Sequence, residues 1–69
     1  MDYTRHTFAQ LREEKQGLIA GNREFRQRIR ELGRKDPEET DNMYRSIDWN
    51  ERQIAEIDAE IENRRSRRR

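Results

Sequence analysis

The chain has no cysteine, a single histidine and no apolar run long enough to cross a membrane. Without cysteine there are no disulfides, no thiolate metal sites and no cysteine nucleophile. The first residues, M-D-Y-T-R-H-T-F, lack the apolar core of a secretory signal. A cytoplasmic protein that does not enter a membrane is therefore the expectation. His6 has no second ligand type at metal-binding spacing, and no glycine-rich loop stands ready for phosphate. The many carboxylates sit at helix-surface spacing, where solvation is the ordinary fate and general acid–base work the exception. The expectation is no enzyme, no metal and no cofactor.

Apolar residues are also scarce. They make up 29% of the 69 residues against 45% charged, a balance that on composition alone leans towards disorder. A long helix or coiled coil escapes that conclusion, because it needs only a narrow apolar seam. Such a seam is present. Phe8, Leu11, Lys15, Leu18, Asn22, Phe25, Ile29 and Leu32 follow one another in alternating steps of three and four. Met43, Ile47, Asn50, Ile54, Ile57, Ile61 and Arg64 repeat the rhythm. Between them, E-L-G-R-K-D-P-E-E-T supplies a glycine to close one helix, then Asp36 as N-cap and Pro37 at the first position of the next. Glu39 is spaced to complete a capping box with Asp36. The pattern predicts one all-α domain over residues 1–69: a helix over about residues 5–33 (starting at Thr4 or Thr7), a turn at 34–36, and a helix over about 37–65 with a basic tail at 64–69. Gly17 and Gly21 cost the first helix about 1 kcal/mol each. The seam runs through them unbroken, so one helix is preferred to two.

Folding the chain at the turn gives an antiparallel coiled-coil hairpin. Pairing positions whose numbers sum to 72 sets Phe25 against Ile47, Leu18 against Ile54 and Leu11 against Ile61. The same register places Asn22 opposite Asn50, where two amides can satisfy each other and set the alignment. It also brings Arg12 near Asp58, and Glu14 unfavourably near Glu60. Each seam residue would be only partly covered in a lone hairpin, well short of the ~1.5–3 kcal/mol available on full burial. A homodimer forming a four-helix bundle, recruiting Ile19 and Tyr44 beside the seam, is therefore expected.

Two features point beyond architecture. Trp49, the only tryptophan, lies about 150° from the seam's centre. A bundle core does not need it there, and tryptophan is enriched at binding hot spots. With Arg45, Arg52, Gln53 and Glu56 it defines an expected docking face for a larger protein, which would make the chain a small adaptor, inhibitor or regulator. The second feature is the arginine run. The first 35 residues hold nine Lys/Arg against five acids, residues 36–63 hold two against ten, and the last six contain five arginines. Arg64, Arg65, Arg67, Arg68 and Arg69, extended by basic residues of the first helix such as Arg23, Arg26 and Arg30, form the alternative, a nucleic-acid-binding surface. Against it stand the acids of the second helix and the lack of aromatic residues to stack bases. Neither helix has the lysine- and arginine-flanked apolar face that an anionic membrane favours.

Overall fold

Helix α1 begins where Thr7 can cap it. Thr7 Oγ1 accepts from Gln10 N–H at 3.1 Å, and the Gln10 side-chain carbonyl accepts from Thr7 N–H at 2.8 Å, a reciprocal capping box. The computed structural model describes residues 2–67, which form α1 (Phe8–Leu32) and α2 (Pro37–Arg67) with no strand among them. Gly33 ends α1 at φ 53°, a backbone angle that L side chains rarely adopt, and its N–H reaches Ile29 O at 2.9 Å. Asp36 then starts α2 by accepting Glu39 N–H at 3.1 Å, while Glu38 and Glu39 sit at the positive end of the helix dipole. Of the two expected starts, Thr4 and Thr7, the structure has Thr7 as N-cap, the one with a glutamine three positions on, so α1 begins at Phe8 rather than at about residue 5. The second helix runs two residues beyond the expected 65.

The helices pack antiparallel into a hairpin 53 Å long, 17 Å wide and 15 Å thick. Midway along it, Asn50 Nδ2 donates to Asn22 Oδ1 at 2.9 Å, with Asn22 buried. Leu11, Met43, Ile47 and Ile57 are the buried aliphatic residues. Leu18, Phe25, Ile54 and Ile61 are partly buried. The flanking charges depart from the simple register. Lys15, not Arg12, bonds Asp58, because its long side chain leaves the seam for the carboxylate beside it. Arg26 reaches Glu51 at 2.7 Å on the same side. Helix α1 is continuous through Gly17 and Gly21. A methyl group at Gly17 would meet nothing within 4 Å, and one at Gly21 would meet only Asn50 Nδ2 at 3.9 Å, so this spacing does not mark a close helix approach.

Residues 2–7 do not extend α1. They fold back as a strap across the open end of the hairpin, turned by the His6 N–H bond to Tyr3 O at 3.1 Å. Asp2 braces the turn by accepting from the Thr4 hydroxyl at 2.6 Å and the Thr4 N–H at 3.0 Å, which holds its carboxyl below the usual range. Tyr3 is carried into a cluster with Leu11 and Ile57, packed round by Leu18 and Ile61, and keeps only 4% of its surface exposed. The buried aromatic ring of this fold therefore comes from outside both helices.

Candidate interaction surface

Strap and tail meet at Arg64. This residue is the last of the seam positions on α2, so its side chain turns inward over the strap rather than out into water. It donates through Nε to Glu60 at 2.9 Å and through Nη2 to the carbonyls of Tyr3 and Thr4 at 3.2 and 3.1 Å. Its guanidinium also lies 5.3 Å from the centre of the Phe8 ring. Arg64 thus serves as a clasp, unlike its expected place in a free basic tract. Arg65 and Arg67 are exposed, and Arg68 and Arg69 lie outside the described residues.

The strap also resolves the expected clash of Glu14 with Glu60. Glu14 turns to His6 at 3.5 Å and Glu60 turns to Arg64 at 2.9 Å, so each carboxylate has a partner of its own. The cost falls on His6, whose Nδ1 is buried without a hydrogen-bond partner among the described residues.

Gln53 changes role as well. It was expected on the docking face, yet it is 7% exposed and accepts the Tyr3 hydroxyl at 2.9 Å. A polar residue beside the seam found its partner in the strap. Trp49, one turn earlier on the same side of α2, lies beyond the strap's reach and is 51% exposed. Arg45, Arg52 and Glu56 are exposed around it, with Arg52 donating to Asp48 at 3.0 Å. What results is one side of the hairpin with two regions: an end closed by Tyr3, and an open stretch dominated by Trp49. Among the described residues no three His, Asp or Glu side chains converge as metal ligands, and no helix is long and apolar enough to cross a membrane.

Burial raises the Tyr3 phenol above its ordinary value of 10.0, and the nearby Glu14 and Glu56 carboxylates add to the shift. The neutral phenol is the form the fold holds. Its contribution to stability is complete below pH 10 and declines as the pH rises through the higher value of the folded state. Tyr3→Phe is expected to remove this alkaline component. It should also cost about 1 kcal/mol, because Gln53 loses its donor. Urea unfolding at pH 8 and pH 10.5, wild type against Tyr3→Phe, measures both effects.

These features define a strap-closed two-helix hairpin. No protein family, curated protein or solved structure matches the chain.

Proposed function

We propose that the hairpin is a non-catalytic interaction module of the cytosol that docks on a larger protein through the side of α2 around Trp49. The observation carrying this reading is the half-exposed indole, which with Tyr44 is one of the two large apolar side chains left exposed among the described residues. A ring of this size repays burial against a partner, and its few torsions lose little entropy when fixed. Exposed Arg45, Arg52 and Glu56 supply a polar rim that favours one orientation of the partner. The module self-associates into a four-helix bundle. In support, Leu18, Phe25, Ile54 and Ile61 are left only partly buried by a single hairpin.

Trp49→Ala tests the docking reading. Its helicity and melting temperature should stay close to wild type, since the indole supports little of the fold, while capture of wild-type partners from lysate should be lost. A variant that is folded and still captures every partner would end the reading.

Nucleic-acid binding remains the second reading, supported by the exposed Arg65 and Arg67 at the end of α2. Removing residues 64–69 would be a misleading test, because it also removes the Arg64 clasp. Replacing Arg65, Arg67, Arg68 and Arg69 by glutamine leaves the clasp in place. A real interaction with duplex DNA or single-stranded RNA would then weaken sharply, and in the wild type it would fall steeply with salt.

A further inference from the structure

The side of the hairpin opposite the strap is uncovered along its whole length. It carries the Lys15–Asp58 and Arg26–Glu51 ion pairs, with Tyr44 56% exposed near the turn. At about 100° per residue, this side of α1 displays Arg12, Arg23, Arg26 and Arg30 around the half-buried Ile19. The corresponding side of α2 displays Glu51, Asp58 and Glu62 around Ile54, with Arg65 as the one basic group among the described residues. One edge of the surface is therefore cationic and the other anionic. Arg12, Arg23, Arg30 and Glu62 have no ion-pair partner among the described residues.

We propose that a second copy of this chain covers this side, related by a twofold axis along the hairpin's length, so that each α1 lies on the other copy's α2. This rests on the self-association proposed above and names its face and geometry. Two hairpins laid face to face have two ways of obeying twofold symmetry. An axis across the length stacks α1 on α1 and α2 on α2, opposing cations to cations and acids to acids. An axis along the length stacks cations on acids throughout, and like-charge contact is what excludes the first arrangement. Rotation without translation also fixes the axial level of every contact. The Asn22–Asn50 level implies that Arg12 faces Glu62 of the second copy, Arg23 faces its Glu51 and Ile19 meets its Ile54. Ile19, Ile54 and Tyr44 supply the apolar centre while the charges choose the orientation. A surface 53 Å by 17 Å is also of the size, roughly 800 Å² per partner, that a standard interface occupies.

The two geometries place the turns differently, and this is the test. With Arg34→Cys carrying a nitroxide, the proposed dimer brings both labels to one end, within about 30 Å given helix spacings of 8–10 Å. The alternative separates them by about the hairpin length of 53 Å. A long distance in a sedimenting dimer overturns the arrangement and leaves self-association standing. A purely monomeric protein at micromolar concentration overturns both. Arg12→Glu with Arg23→Glu then identifies the face: dimerisation should weaken about tenfold or more, from four reversed contacts. Unchanged dimerisation would place the interface on the other side and overturn the proposal.

Discussion

Ile57→Ala is expected to abolish cooperative folding at 25 °C. Ile57 has no exposed surface and shares its cluster with Tyr3 and Leu11. Truncating a fully buried isoleucine costs about 2–5 kcal/mol, the lost transfer energy plus the cavity left behind. A core in a chain below about 70 residues rarely supplies more than 3–5 kcal/mol. The loss is thus comparable to the whole margin, and the cavity would open beneath the strap, freeing Tyr3 with it. The control is Ile54→Ala, the same chemical change at a partly buried site. Its effect on a lone hairpin should be visibly smaller, whereas in the proposed dimer Ile54 is covered and the gap narrows as protein concentration rises. Thermal melts by far-ultraviolet circular dichroism at two concentrations read both results.

The second large effect concerns the amide layer. Asn22→Leu leaves Asn50 Nδ2 facing a methyl group in the middle of the seam, at a cost of about 1–3 kcal/mol for the stranded group. Asn50→Leu should do the same to Asn22, which is the more deeply buried of the two. Replacing both removes the unsatisfied group and should recover the loss or exceed it, giving a coupling energy of about 0.5–3 kcal/mol in the double-mutant cycle. The double leucine variant should be less specific in return. With no polar layer to fix alignment, mixed oligomers are expected in sedimentation, as for coiled coils that lose a buried asparagine. Strict additivity of the single changes would mean that each amide acts alone.

Much of this was readable from the chain because it is local or periodic. Gly33, Asp36 and Pro37 act through backbone geometry within a few residues, and the Asn22–Asn50 contact follows from a repeat extended from the turn. The strap was not readable in this way. Tyr3 meets Gln53 and Arg64, partners 50 and 61 residues away, through a segment with no period to extrapolate. Two faint signals existed: a glutamine beside the seam on α2, and an arginine at its last seam position. Only the arginine was polar where the seam would otherwise call for an apolar residue, but both residues bond the strap. The charge register departed from expectation in one pair, since Lys15 of the seam bonds the Asp58 carboxylate that the simple register set near Arg12.

The Arg64 clasp also imposes an order of events. The turn is a local contact, and the seam can zip outward from it with little loop to close at each step. Tyr3 stands at the far end of that process. When the amino-terminal segment is first made, neither the glutamine that accepts its hydroxyl nor the arginine that holds its carbonyls exists. The strap is therefore expected to settle last in folding and to be the first contact to let go in unfolding. Its amides, and those of the last turns of α2, should exchange with solvent well before the amides around Asn22.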